Sequence, residues 1–223
     1  MMGGDDLEWM NTDAWEADPE NLRALEAEVP ALAVLRQFAQ ETAHARWFAS
    51  LGEPLDAETH ELANLYLAGL GFPDADVAIL PDWDDVVDVA QSLDLNSEAW
   101  EAEEQFRAAL TEAALDLVSP EGLQVVLTYL AAQLAIPLRE SAEEALSLSD
   151  ENVDALVELL VGAGQQAAYG ALLALAAAQA EAAQEGGEVD MVELACHPIF
   201  VKYRLFAIGR WPVSLTGRSF NLF

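Results

Sequence analysis

The sequence predicts a mainly α fold: a single-domain multi-helix bundle of seven to nine helices, with a small irregular or β appendage at its C-terminal end. Three observations carry this. Hydrophobic residues make up 53% of the 223 positions, and Ala and Leu, both strong helix formers, dominate them. The runs of β-branched residues that a large sheet requires are scarce. Helix start and stop signals recur along the whole chain. The length suffices to bury a substantial core. No fixed-period repeat is present, so a solenoid is not expected.

Residues 1–18 read as an acidic arm carrying Trp9 and Trp15. Asp18-Pro19-Glu20 opens a helical domain expected over residues 19–190, with a cap, a first-turn proline and an acid facing the helix dipole. Pro30 breaks or restarts that helix. Ala31 to Leu51 continues it with Val34, Leu35, Phe38, Ala45 and Phe48 on one stripe, ended by Gly52. Asp56 caps a helix to about Leu70, with Leu62, Leu65, Tyr66 and Gly69 inward, stopped at Gly71-Phe72-Pro73. A loop is expected from Asp74 to Pro81, anchored by Val77, Ile79 and Leu80. Pro81-Asp82 opens a short helix with Val86, Val87 and Ala90. Asn96 or Ser97 caps the next, which runs to about Val118 and carries Trp100, Phe106, Leu110 and Leu117.

Ser119-Pro120-Glu121 starts a nearly all-apolar helix from Leu123 to Leu134, expected to be buried on most sides, with Pro137 as an interruption. Ser141-Ala-Glu-Glu144 reads as a capping box. Ser149-Asp150-Glu151 starts another helix, whose core stripe is Val153, Leu156, Val157, Leu160 and Val161. The longest uncharged stretch, Leu159 to Ala180, holds Gln165, Gln166 and three glycines and lacks flanking positive charge. It reads as a buried helix pair rather than a membrane span. Gly186-Gly187 ends the Ala-rich part.

The remainder, 191–223, is expected to pack on the helical domain. From His197 onward it has no Asp or Glu, while Lys202, Arg204, Arg210 and Arg218 are basic. It also holds Phe200, Tyr203, Phe206, Trp211, Phe220 and Phe223. Pro198 and Gly209 bound a short helix. A Trp-Pro loop and one short strand, entered at Gly217, are expected to follow. Two readings are open for this segment. It is either a tail whose aromatics cover a groove and whose cations neutralise nearby carboxylates, or a recognition patch centred on Arg210-Trp211-Pro212.

Charge narrows the function classes. The net charge is −31, but it is divided: the segment from His197 carries +4, leaving −35 on residues 1–196. Such a surface repels nucleic acid and anionic lipid, so neither is an expected partner. It attracts a basic protein, by a long-range field that speeds encounter. The single cysteine, Cys196, excludes an intrachain disulfide and fits a reducing, cytoplasmic compartment. Met1-Met2-Gly3-Gly4-Asp5-Asp6 has no signal-peptide character.

Catalytic motifs are not found. Glu41-Thr-Ala-His44 has the spacing of a di-iron half-site, but no second pair matches it. Asp74, Asp76, Asp82, Asp84, Asp85 and Asp88 form the densest acid cluster, without the glycine and glutamate of an EF-hand loop. Asp150-Glu-Asn152-Val-Asp154 begins like such a loop and fails at the same two positions. There is no Gly-x-Ser-x-Gly and no Gly-rich phosphate loop. Cys196 is expected as a buried small hydrophobe. No cofactor and no metal are expected.

The function expected is therefore binding, not catalysis: an acidic helical protein that holds a basic protein partner, as an immunity or antitoxin-like neutraliser or a chaperone-like escort would. Asp74, Asp76, Asp82, Asp84, Asp85, Arg210 and Trp211 are the candidate partner-binding residues. The alternatives are a helical metal-dependent enzyme using Glu41, His44 and His60, and a DNA mimic whose carboxylates imitate phosphates.

Overall fold

A computed structural model describes residues 23, 24, 26, 27, 29–49, 51, 53–92, 97–114 and 120–223. The expected arm, the Asp18-Pro19-Glu20 start, Asn96 and Ser119 lie outside the described residues. Eight α-helices and a three-stranded sheet make up the described fold. A 3-10 turn at Pro30–Leu32 leads into α1 (Ala33–His44), followed by α2 (Ala57–Leu70), β1 (Asp76–Ile79) and α3 (Trp83–Gln91). Then come α4 (Glu98–Ala114), α5 (Pro120–Ala145), α6 (Asp150–Glu185), α7 (Met191–Cys196) and α8 (Pro198–Ala207). The strands β2 (Pro212–Thr216) and β3 (Ser219–Leu222) close the chain.

Local chemistry sets many of these bounds. The Asp56 carboxylate accepts from the Thr59 N–H at 2.8 Å, taking one of the orphan donors at the start of α2. Asp82 does the same for α3 through Asp85, and Ser97 for α4 through Trp100. α1 stops at His44, short of the expected Leu51. The Trp47 indole N–H donates to the Thr42 carbonyl at 2.9 Å, satisfying an end group that helix continuation would otherwise have taken.

α6 is the central element, with α1, α4, α5 and α8 packed around it. Its 36 residues form one helix, not the expected pair. Two of the three glycines that suggested a break, Gly164 and Gly170, serve close packing instead. A Cβ at Gly170 would lie 2.5 Å from Ile199 Cγ2 on α8, so only glycine lets the two helices approach this closely. By length and composition α6 could cross a membrane, and 56% of its most apolar stretch is buried within the fold.

α5 also runs unbroken through Pro137, and Ser141 lies inside it rather than capping a new helix. The proline removes one intrahelical bond, but the stripe Leu130, Leu134, Leu138 and Ala142 continues across it and is buried at every step. Packing outweighs the lost bond. Not every side of α5 is buried, since Ile136 is 65% exposed.

Two apolar clusters meet at α8. Tyr203 and Phe206 join the large core between α1, α5 and α6, where Phe38 lies 4.8 Å from the Tyr203 ring. Val201 and Leu205 join a second core with Leu62, Tyr66 and Leu67 of α2 and with Phe220 and Leu222 of β3. The basic, aromatic helix is thus an interior element.

The sheet has the order β1-β3-β2, with β1 parallel and β2 antiparallel to β3. Gly217, at φ 61°, provides the left-handed residue that reverses the chain between β2 and β3. The expected Trp-Pro loop is strand β2 from Pro212 onward, and the expected loop from Asp74 to Pro81 contains strand β1. A four-residue strand with a parallel partner more than 140 positions away leaves no local signature strong enough to find it.

Candidate functional site

Two regions concentrate charge. The first is interior. α2 places Tyr66, α4 places Glu103 and Arg107, and α8 places Lys202, the chain's one lysine. The Lys202 ammonium donates to Glu103 Oε1 at 2.6 Å and Arg107 donates to the same oxygen at 2.8 Å. The Tyr66 hydroxyl donates to Glu103 Oε2 at 2.6 Å. Arg107 also reaches Glu104. The side chains of Glu103 and Lys202 are 12% and 16% exposed, so this is a largely buried ion pair in which both Glu103 oxygens accept hydrogen bonds.

Its electrostatics follow from that placement. Burial pushes the Glu103 carboxyl up, but Lys202, the Tyr66 hydroxyl and Arg107 outweigh burial and hold it below the ordinary value. Burial, reinforced by the Glu103 charge, pushes the Tyr66 phenol well above its ordinary value. Glu103 stays ionised and Tyr66 stays neutral across the physiological range. Neither group is poised to exchange a proton near neutrality, which is what general acid–base work demands. A small cleft of about 90 Å³ opens beside this cluster, walled by Trp100, Tyr66, Val213 and Phe220. The cluster pins α2, α4 and α8 together.

The second region is the outer, acidic one. Asp74 precedes β1, Asp76 begins it, Asp82 caps α3, and Asp84 and Asp85 lie in the first turn of α3. Asp74, Asp76, Asp82 and Asp84 are exposed and Asp85 is half-buried. These five carboxylates sit around β1, at an edge of the sheet. Among the described residues, no cation pairs with any of them. Arg218 donates to Asp74, but to its backbone carbonyl, at 2.9 Å.

Arg210 and Trp211 are not part of this surface. Each is 7% exposed, so the expected recognition anchor is inside the molecule. The Trp211 ring belongs to the large core. Its N–H and carbonyl pair with Phe223 at 2.7 and 2.9 Å. Arg210 lies 3.7 Å from the Asp56 carboxylate. Hydrogen bonds from Thr59, with a smaller contribution from Arg210, hold that carboxylate below its ordinary value. Burial of the aromatics reduces exposed apolar area more than a surface patch would, and the cation follows its neighbour inward.

Glu41, His44 and His60 do not converge. No group of three His, Cys, Asp or Glu side chains with metal-binding geometry forms among the described residues. Glu41 accepts from Tyr203 at 3.1 Å and from Gln37 at 2.8 Å. His44 contacts the Gln40 carbonyl and His60 contacts Asn64, each on its own helix. The loop-like stretch Asp150–Asp154 is the first turn of α6, and Asp154 pairs with Arg139. Cys196 is exposed, not buried. α7 has six residues and turns Leu194 inward, and two positions further on a helix faces the opposite side.

No family model, curated protein or solved structure matches the chain.

The interior cluster was not foreseen from sequence. A signal did exist: Glu103 and Arg107 have the i, i+4 spacing of a helix pair, and a lone lysine in an aromatic segment is unusual. What sequence does not provide is the 99-residue separation that joins Lys202 to Glu103.

Proposed function

We propose that this chain is a non-enzymatic binding protein that holds a basic protein partner against the acidic face around β1 and the start of α3. Acting as a neutraliser of a basic toxin or as a chaperone-like escort would fit this reading. One observation carries it. Among the described residues no ion pair forms on these carboxylates: Lys202 pairs with Glu103 and Arg210 with Asp56, and Arg218, the cation beside this face, bonds the Asp74 backbone carbonyl and not a carboxylate. The carboxylates of Asp74, Asp76, Asp82 and Asp84 stay exposed, with no described cation paired to them. Their field is available to an external partner, where it would steer encounter and fix orientation.

The test compares two variants of equal net charge in co-purification from native lysate at about 20 mM NaCl, where screening is weak. One carries Asp74→Asn, Asp76→Asn, Asp82→Asn and Asp84→Asn. The other carries Glu158→Gln, Glu181→Gln, Glu185→Gln and Glu188→Gln, all exposed positions on or just beyond α6. The expected result is a basic protein retained by the wild type and the second variant and lost by the first. Equal retention by both variants, or equal loss, would refute a site at β1 and α3.

A further inference from the structure

We propose that the outer edge of β1 is a strand-addition site that takes an extended peptide segment of alternating basic and apolar residues as a fourth strand. This rests on the basic-partner reading above and adds the form in which the partner is held.

The backbone geometry comes first. The Asp76 N–H donates to the Arg218 carbonyl and the Leu80 N–H to the Leu222 carbonyl, each at 2.7 Å. Backbone groups alternate sides along a strand, so Asp76, Ala78 and Leu80 face β3 while Val77 and Ile79 direct their N–H and C=O groups outward. Among the described residues β1 has one neighbour, β3. A shallow groove of about 400 Å³ borders this edge, lined by Glu53, Pro54, Leu55, Val77 and Ile79. It offers apolar side chains to every second residue of an added strand, and the outward backbone groups of Val77 and Ile79 meet no strand partner among the described residues.

Charge selects the occupant. Asp74 and Asp76 lie at one end of β1, Asp82 and Asp84 beyond the other, and Glu53 in the groove. Four strand residues span about 13 Å, so the two acidic ends suit Lys or Arg side chains roughly four residues apart. Open sheet edges are usually protected by charge. Here five acids stand against one cation, Arg218 at the Asp74 end, so the net charge turns away acidic strands and admits cationic ones. A second copy of the chain, at −31, is repelled. Residues 1–22 hold seven acids and no cation, so the chain's own N-terminal stretch is disfavoured as well.

The probe is a synthetic peptide of alternating Lys and Val, added to the full chain at about 20 mM NaCl and monitored by amide NMR and calorimetry. Binding should protect the Val77 and Ile79 amides from exchange. Two N-methylated peptides decide the mode, one modified at every Lys and the other at every Val. In a strand, one set of N–H groups faces β1 and the other faces solvent. One peptide should therefore bind about tenfold or more weakly, and the other should bind like the parent. On the protein side, Val77→Pro removes an outward donor while the bonds to β3 remain, and it should weaken the parent peptide to a similar degree.

Equal binding by both methylated peptides would mean that charge alone holds them. The strand-addition inference would then fall, while the basic-partner reading stood. No binding of the parent peptide overturns the inference, and the charge-matched variants above then judge the partner reading separately. Binding that appears only after residues 1–22 are removed would make that stretch the occupant and overturn the choice of a foreign strand.

Discussion

The C-terminal segment and the β1–α3 segment carry opposite charge and share one sheet, yet they use that charge in opposite ways. In α8 and the loop after it, two cations are turned inward: Lys202 meets Glu103, and Arg210 meets Asp56. Around β1 four of the acids are exposed, and among the described residues no cation forms an ion pair with their carboxylates. Sequence density alone pointed to both segments as partner-binding. The difference shows that apolar neighbours decide where a charge goes. Lys202 lies between Val201 and Tyr203, which are fixed in the two cores, so its position on α8 is set by them. Asp74 and Asp82 flank a short edge strand with half-buried residues, and nothing draws them in.

The largest expected effect lies in the interior region. Glu103→Ala removes the acceptor of Lys202, Arg107 and Tyr66 and takes the acidic partner from Lys202, while Arg107 keeps Glu104. Breaking a buried pair in this way should cost about 3 kcal/mol in denaturant titration. It should lower the melting temperature by about 6–12 °C for a domain of this size. Lys202→Met should cost only about 1 kcal/mol, because Glu103 keeps Arg107 and Tyr66. The cost of Glu103→Ala also has a defined pH dependence. The carboxyl is held below its ordinary value, so its stabilisation is complete above the ordinary carboxylate value and is lost as pH falls through the lowered one. The gap between wild type and variant should narrow on acidification. A gap of less than about 1 kcal/mol at neutral pH would mean that this cluster is no pin, and the contrast between the two regions would lose its interior half.

How far the sequence foretold this depends on the range of each interaction. The caps at Asp56, Asp82 and Ser149, the helix start at Pro198 and the turn at Gly217 were legible, because each is local chemistry within three or four residues. Pro137 misled because a local breaker was weighed without the stripe from Leu130 to Ala142 that overrides it. Gly170 in α6 misled in the same way, since its partner Ile199 lies on another helix. For the candidate site, the exposed acids were legible as a cluster. That they flank a strand at the edge of the described sheet was not, because β1 exists only by pairing with β3. The burial of Arg210 and Trp211 was one of two readings, and the pairing of Trp211 with Phe223 decided between them.

A middle-sized effect separates the phenol from the ion pair. Tyr66 is neutral and buried, with its hydroxyl on Glu103. Tyr66→Phe keeps the ring against Phe220, 5.3 Å away, and removes one hydrogen bond. It should cost about 1 kcal/mol at neutral pH. Burial, with the Glu103 charge, raises the folded phenol's pKa, so the unfolded phenol ionises first as pH rises. Wild-type stability from this group is therefore complete below about pH 10 and lost above it, and the variant lacks that loss. The two stability curves should converge above about pH 10. Parallel curves would mean that the phenol is not secluded and that water reaches Glu103.

The smallest effect on stability should come from the outer region, and its smallness carries the comparison. Asp74→Asn, Asp76→Asn, Asp82→Asn and Asp84→Asn together remove four exposed charges from a chain at −31. Asn replaces Asp82 because it caps a helix about as well, so α3 keeps its start. Each change should fall within about 0.5 kcal/mol, and relief of self-repulsion should offset any loss. Added salt acts on the same repulsion. The wild type should therefore gain melting temperature between about 20 and 500 mM NaCl, and the four-fold variant should gain less. The Glu103 pair, shielded from solvent, should not share this salt dependence. If the four acids proved as costly to remove as Glu103, they would be bound within the fold, and a free acidic face would not exist. If they cost nothing and partner capture disappears with them, charge placed outside has a use that charge placed inside does not.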